Sequence, residues 1–222
     1  MQKFDTTAPI AVVLDIPVGR IQIIAADQAG ATVEVLPADT SKSRDVKAAE
    51  QTTIGYRDGV LRVENPVKNQ YFGTSGSLEV TLHVPAGSRV EAKSGGAELR
   101  TEGPLGDIAF DGAHGVVEVD EATSLRLTVH ASDVKVGRLA AGGEIRVAKG
   151  DIAVTEAVRG TLTLRTESGR ITVGAAHGAS ATLDAGTTYG RINNALSNTQ
   201  GSAPDLTIHA TTNYGDITAR SL

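Results

Sequence analysis

The stretches Lys149-Gly150-Asp151-Ile152-Ala153-Val154 and Ser168-Gly169-Arg170-Ile171-Thr172-Val173 are two copies of one unit, and this unit decides the fold. Each copy has a polar residue, Gly, a variable charged residue and then alternating apolar and polar residues. A period of two is typical of a β-strand that buries one face and exposes the other. Gly before each strand indicates a tight corner where the strand begins.

The same unit recurs from about residue 94 to the C-terminus. Its Gly-equivalent positions, at intervals of 17 to 25 residues, are 95, 115, 132 (a Ser), 150, 169, 190 and 215. A second series of alternating strands lies between these copies, at 106–110, 125–129, 143–147, 160–164, 181–183 and 206–208. One repeat therefore contains two short strands, and it buries its apolar face only by stacking on neighbouring copies.

Two all-β architectures fit this pattern. The first is a β-solenoid, similar to a parallel β-helix, of about seven two-strand coils. The second is an antiparallel sandwich in which the same strands form hairpins. Alternate strands resemble each other more than neighbouring strands do, as expected if every second strand stacks in register. The sequence therefore favours the solenoid.

The first ninety residues are less regular. Residues 19–23 and 31–35 match the repeat, whereas 41–51 are charged and compatible with a short helix. Residues 53–63 predict a hairpin with an Asp58-Gly59 turn, and 78–84 predict another strand, ended by Pro85. We interpret 1–222 as a single β-repeat domain, in which 1–90 form an N-terminal coil plus a cap-like insertion and 91–222 form the regular repeats.

The C-terminal end shows no comparable cap. The last repeat strand occupies 217–222, and a polar segment at 193–204 precedes its coil. Exposed strand edges invite pairing with another chain. We therefore expect the C-terminal strand edge to mediate self-association, unless the 193–204 segment covers it.

Composition narrows the function classes. The 222 residues are 40% hydrophobic and 3% aromatic, with 25 Gly, no Cys and a net charge of −5. An acidic chain without clustered cations argues against nucleic-acid binding. The lack of Cys excludes disulfides, thiolate metal sites and cysteine nucleophiles. The longest apolar run near the N-terminus, 8–14, is too short for a signal peptide or a membrane span, so we expect a cytoplasmic protein.

Recurrent aspartates are the first candidate site. Asp107, Asp151 and Asp216 follow Gly, and Asp133 follows Ser. A stacked file of carboxylates could bind Ca²⁺. The equivalent positions in other copies, however, hold Gly96, Val116, Arg170 and Arg191. This variation favours a turn role, in which Asp accepts hydrogen bonds from local backbone N–H groups.

The outward-facing positions carry scattered, mixed charges, as on an ordinary solvated sheet. Arg126 and Arg146 are expected to stack as a small basic spot for an anionic ligand. The outward positions of the two series are Glu98, Glu118, Lys135, Ala153, Thr172, Asn193 and Thr218, and Ala109, Arg126, Arg146 and Thr163.

No known catalytic or phosphate-binding motif is present. The five histidines do not have the spacing of a metal site. They are His83, His114, His130, His177 and His209. The Gly-rich segment 71–77 precedes a strand rather than the helix N-terminus that a phosphate loop needs, and we interpret it as a loop that could contact a partner. The sequence predicts no catalytic residue, cofactor or metal ligand.

Two segments resemble a bacterial family. They are Val84-Pro85-Ala86-Gly87-Ser88-Arg89-Val90-Glu91 and Thr211-Thr212-Asn213-Tyr214-Gly215-Asp216-Ile217-Thr218. Together with the repeated Gly-(Asp/Arg)-Ile units, they resemble the "putative adhesin" β-strand-repeat family, domain-of-unknown-function family 4097. The resemblance implies a right-handed β-solenoid-like fold and carries over no catalytic residue. We expect a non-catalytic scaffold or protein-interaction module; the alternative is a carbohydrate-active β-helix enzyme of the polysaccharide lyase or hydrolase type.

Overall fold

The computed structural model describes residues 1–66, 76–201 and 203–222. It is nearly all-β in these residues, and one α-helix interrupts the strands. The chain forms two compact units, Met1–Val116 and Val117–Leu222.

The strands of the N-terminal unit follow the alternating segments of the sequence. They are β1 (Gln2–Phe4), β2 (Ala11–Asp15), β3 (Val18–Ala26), β4 (Ala31–Pro37), β5 (Thr53–Arg57), β6 (Val60–Glu64), β7 (Leu78–Pro85), β8 (Arg89–Ser94) and β9 (Gly96–His114). Two hydrogen-bonded layers result, because β9 is long enough to run through both of them. The strand order is β5–β6–β2–β8–β9 in one layer and β1–β4–β7–β3–β9 in the other.

The predicted cap-like insertion contains a short helix and a hairpin. The helix α1 spans Ser43–Gln51, and its first-turn Asp45 is 2% exposed and accepts a hydrogen bond from the Ser77 N–H at 3.0 Å. Strands β5 and β6 pair antiparallel as predicted. Asp58 and Gly59 both have positive φ, at 53° and 75°, as the tight two-residue turn of a hairpin requires.

The C-terminal unit contains the most regular repeats. Its strands are β10 (Val117–Ala131), β11 (Val134–Leu139), β12 (Gly142–Lys149), β13 (Ile152–Ala157), β14 (Gly160–Ser168), β15 (Ile171–Ala175), β16 (Ala181–Tyr189), β17 (Ile192–Ala195), β18 (Leu206–Tyr214) and β19 (Ile217–Ser221). One layer has the order β10–β11–β13–β15–β19–β17, and the other has β10–β12–β14–β18–β16.

Every one of these pairings in the C-terminal unit is parallel. Parallel stacking of every second strand is the solenoid arrangement and not the sandwich of hairpins. Apolar side chains from equivalent positions form buried rows between the layers; Ile152, Ile171 and Ile217, for example, are register partners and at most 1% exposed. Burial of each such side chain contributes roughly 1.5–3 kcal/mol.

The Gly of each repeat stands where neighbouring coils approach most closely. A Cβ on Gly169 would overlap the carbonyl oxygen of Gly150, and one on Gly215 would overlap that of Gly169. A buried Thr three residues earlier supports each corner: Thr166 Oγ1 donates to the Gly150 oxygen and Thr212 Oγ1 to the Gly169 oxygen, both at 3.0 Å. These two corners therefore need Gly for close contact between coils, in addition to turn geometry.

Candidate functional site

The coil at the end of the C-terminal stack is not the last coil of the sequence. Strand β18 lies between β14 and β16, and β19 lies between β15 and β17. The prediction that the C-terminal strand forms an open edge is therefore wrong. The edge belongs to β16 and β17, which come one coil earlier in the chain.

The segment after β17 explains this order, because it leads the chain back into the stack. It is fixed by Ser180, whose Oγ accepts hydrogen bonds from Thr199 N–H at 3.1 Å and Gln200 N–H at 3.0 Å. The Ala181 N–H donates to the Ser197 oxygen at 3.0 Å. The polar segment thus covers the beginning of the β16 edge, and the C-terminal coil fills the space between β14–β15 and β16–β17.

The rest of the β16 edge presents backbone groups away from β18. The Leu206 N–H donates to the Ser180 oxygen, so the backbone groups of Ser180 point toward β18. This bond fixes which residues of β16 point their backbone groups toward β18 and which point them away. The N–H and C=O groups of Leu183, Ala185 and Thr187 therefore point to the open side, because successive residues of a strand alternate in direction. Within the described residues, β16 pairs in register only with β18.

The apolar interior also ends at this edge. Ile192 is 46% exposed, although its register partner Ile217 is fully buried. Leu183 and Ala185, which continue the inward rows of β18, are only partly buried. The next inward position of β17 holds a polar residue, Asn194, opposite the buried Ala219.

Two tyrosines stand at the corner of the same edge. Tyr189 of β16 and Tyr214 of β18 stack with ring centroids 5.0 Å apart and an angle of 6° between their planes. Their exposed fractions are 65% and 59%. Burying aromatic rings of this size in a contact is strongly favourable, and exposed Tyr is typical of protein interfaces.

Few charges accompany this edge. Asp184 Oδ2 lies 3.3 Å from Nδ1 of His209, its register partner on β18. Arg191 lies 3.9 Å from Asp216, whose Oδ1 also accepts the Arg191 backbone N–H at 2.9 Å. Each charge at the edge thus has an opposite or polar partner in the neighbouring coil.

The Gly-Asp carboxylates bond to the backbone of the neighbouring coil. Asp133 Oδ1 accepts the Asp151 N–H at 2.8 Å, and Asp151 Oδ1 accepts the Arg170 N–H at 2.7 Å. Among the described residues, no group of three or more His, Asp or Glu side chains could hold a metal ion. These carboxylates accept backbone N–H groups, as the turn interpretation expected, but the N–H groups are 18 and 19 residues away in the next coil and not local.

Within the C-terminal unit, the outward residues of the first series are successive register partners: Glu118, Lys135, Ala153, Thr172, Thr218 and Asn193. Glu118 and Lys135 lie opposite each other at 3.2 Å, and Arg138 pairs with Glu121 at 2.8 Å and with Glu156 at 3.5 Å.

The predicted Arg126–Arg146 stack does not form. Arg126 lies opposite Glu144 in the register. The reason is that Gly143 takes the inward position opposite Leu125, so the first apolar residue of β12 comes two residues later. Arg146 instead lies opposite Arg165 and pairs with Glu144, with 2.7 Å between Nε and Oε1. A shallow groove of about 240 Å³ is lined by Arg146 and Arg165, together with His130 and Glu167.

The histidines do not converge on one site. His83 lies on β7, His114 ends β9 and His130 lies near the end of β10. His177 Nδ1 is 3.0 Å from the Leu222 carbonyl oxygen, and His209 is the partner of Asp184.

The predicted loop 71–77 lies mostly outside the described residues. Beside its described end, Asp39 has its pKa lowered from 3.8 to about 2 by hydrogen bonds from the Ser41 side chain and backbone and from Lys42. This stabilises a turn before α1. No helix in the described residues is long and apolar enough to cross a membrane.

Sequence reasoning did not single out Tyr189, Ile192 and Ala185 as edge residues. A signal was present in the inward positions of this coil. Asn194 stands at one of them, whereas the coils on the inner side carry Ala219 or Val173 at this position. Polar residues at inward positions mark a terminal coil.

Comparison with known proteins identifies the family of the chain and a solved structure with a similar fold. The sequence profile of the Toastrack DUF4097 family matches residues 73–220. The crystal structure of a "putative adhesin" from Bacteroides fragilis is similar over 98% of this chain and 95% of that chain, with 12% identity and a TM-score of 0.55. A "putative adhesin" from Parabacteroides merdae aligns over 100% of this chain and 95% of that chain, with 14% identity and a TM-score of 0.47. No curated protein matches the chain.

Proposed function

Because the chain belongs to the Toastrack DUF4097 family, we propose that it is a non-catalytic β-repeat module that binds another protein through the open edge formed by β16 and β17. The observation that carries this proposal is the exposed Tyr189–Tyr214 stack beside backbone groups that point away from the sheet. Aromatic anchors next to an unpaired strand edge suit β-strand addition, in which main-chain hydrogen bonds give affinity and side chains give specificity.

The flat faces of the C-terminal unit support a structural role over catalysis. Glu118 pairs with Lys135, and Glu121 and Glu156 both pair with Arg138 of the strand between them. A carbohydrate-active enzyme would instead hold its acid and base carboxyl groups around a cleft that binds the sugar. The structurally similar Bacteroides fragilis protein is described as a "putative adhesin", which is in line with an interaction role. The cytoplasmic location stays a prediction.

Site-specific photo-crosslinking in the native host tests the proposal. A photoreactive phenylalanine analogue is placed at Tyr189, and at Thr172 on the flat face as the matched control. We expect a discrete protein adduct at position 189 that is absent at position 172. The adduct should disappear when Ala185→Pro is added, because proline removes an N–H that points to the open edge.

Two results would contradict the proposal. One is equal crosslinking at positions 189 and 172, since it would indicate random encounter. The other is a purified protein that depolymerises a polysaccharide, with the activity abolished by replacing a carboxylate; this would favour the enzyme alternative.

A further inference from the structure

The open edge of the C-terminal unit fits a second copy of this chain. We propose that two copies join head to head, with their β16 strands antiparallel across a two-fold axis at Ala185. This inference rests on the proposed interaction role and names its partner.

The outward backbone groups of β16 are symmetric about Ala185. Leu183, Ala185 and Thr187 direct their N–H and C=O groups outward, whereas the Ala181 N–H is already bonded to Ser197. In an antiparallel pair centred on Ala185, each Leu183 meets the second copy's Thr187, and each Ala185 meets its equivalent. All three outward residues then find partners at once, so the edge is self-complementary.

The side chains of β16 permit this register. The only charged residue of the strand, Asp184, would face Gly186 of the second copy, so that like charges are not opposed. The strand also contains no Lys and no Pro, the residues with which natural proteins protect an edge from pairing.

A second copy covers more of this edge than a single peptide strand can. The end of the stack has two edges, β16 in one layer and β17 in the other, and all four residues of β17 are exposed. The partly buried Leu183 and the exposed Ile192 are the last apolar side chains between the two layers at this end. A second copy offers both edges at the same separation, whereas an extended peptide would pair with one edge and leave the other open.

The edge strands of the N-terminal unit lack these properties. Strand β1 has only three residues and includes Lys3, and β5 ends in Arg57 at the hairpin turn. Short length and charge are common protections of an edge. The β16–β17 edge is therefore the better candidate for self-association.

Single cysteines test the register directly, because the chain has no Cys of its own. Opposed residues of a hydrogen-bonded antiparallel pair have Cα atoms about 5.5 Å apart, within the range that a disulfide bridges. Under mild oxidation we expect Ala185→Cys to form a covalent dimer. Ala153→Cys, the same substitution on the outer face of β13, should form no covalent dimer.

Light scattering on the purified chain gives the second measurement. We expect twice the monomer mass of 22.9 kDa for the unmodified chain and the monomer mass for Ala185→Pro, with the same circular dichroism. A monomer at every concentration, or equal disulfide formation at positions 185 and 153, would overturn the head-to-head dimer. A heterologous adduct at Tyr189 alongside a monomeric purified chain would leave the proposed function standing and reject the second copy as the partner.

Discussion

Tyr189 stacks on Tyr214 with 5.0 Å between ring centroids, although 25 residues separate them in the chain. The two rings are neighbours because β16 and β18 pair in parallel, with Tyr189 opposite Tyr214 in the register. Because β18 also pairs with β14 on its other side, Tyr214 covers the inner face of the Tyr189 ring, and the outer face of that ring lies at the open edge.

The stacking predicts a measurable coupling between the two rings. In a double-mutant cycle of Tyr189→Ala and Tyr214→Ala, we expect a coupling of about 0.5–1.5 kcal/mol in the free energy of unfolding. The measurement is urea unfolding followed by circular dichroism. The control cycle combines Tyr189→Ala with Lys135→Ala, several coils away, and should be additive within about 0.5 kcal/mol. Equal coupling in both cycles would reject a specific contact.

Because the C-terminal coil lies inside the stack, we expect alanine substitutions at the register partners Ile217 and Ile192 to lower the free energy of unfolding by different amounts. Ile217→Ala removes buried methyl groups between β15 and β17, so a loss of about 2–5 kcal/mol is expected in the free energy of unfolding. Ile192→Ala, at a site that is 46% exposed, should cost less than half as much. Urea unfolding of dilute protein compares the two, since dilution prevents association from burying Ile192. If the two losses are equal, β19 does not lie inside β17.

The repeat architecture could be predicted because it depends on local features. Gly150, Gly169 and Gly215 stand at corners where no side chain fits, and each strand that follows alternates with period two. The Asp58-Gly59 hairpin was predictable for the same reason, since its turn chemistry lies within two residues.

The order of the last coils could not be predicted in this way. Ile171, Ile192 and Ile217 begin equivalent strands with nearly identical patterns, so any of these strands can stack on any other. The order is decided by hydrogen bonds over long sequence separation, such as those from Thr199 and Gln200 to Ser180. The displaced pattern of β12 likewise depends on Gly143, which takes an inward position that the repeat pattern assigns to an apolar residue.

The contacts between coils predict that Asp151 stabilises the fold through its carboxylate oxygen. Asp151→Ala removes the acceptor of the Arg170 N–H, and we expect a loss of about 1–2 kcal/mol. Asp151→Asn keeps an oxygen acceptor and should lose clearly less. Thermal unfolding with and without added Ca²⁺ completes the experiment, and a midpoint that rises with Ca²⁺ only in the unmodified chain would instead support a cation site.

The hairpin of the N-terminal unit offers a comparison between two glycines that differ mainly in backbone conformation. A Cβ on Gly55 or on Gly59 would meet no atom within 4 Å, but only Gly59, with φ of 75°, has a left-handed backbone. Gly59→Ala should therefore lower the free energy of unfolding by about 1 kcal/mol or more, because alanine is strained at positive φ. Gly55→Ala should leave it unchanged or raise it by up to about 1 kcal/mol, because alanine reduces the entropy of the unfolded chain. Denaturant unfolding of both variants decides the matter: effects of the same sign and size would show that the turn does not require positive φ at residue 59.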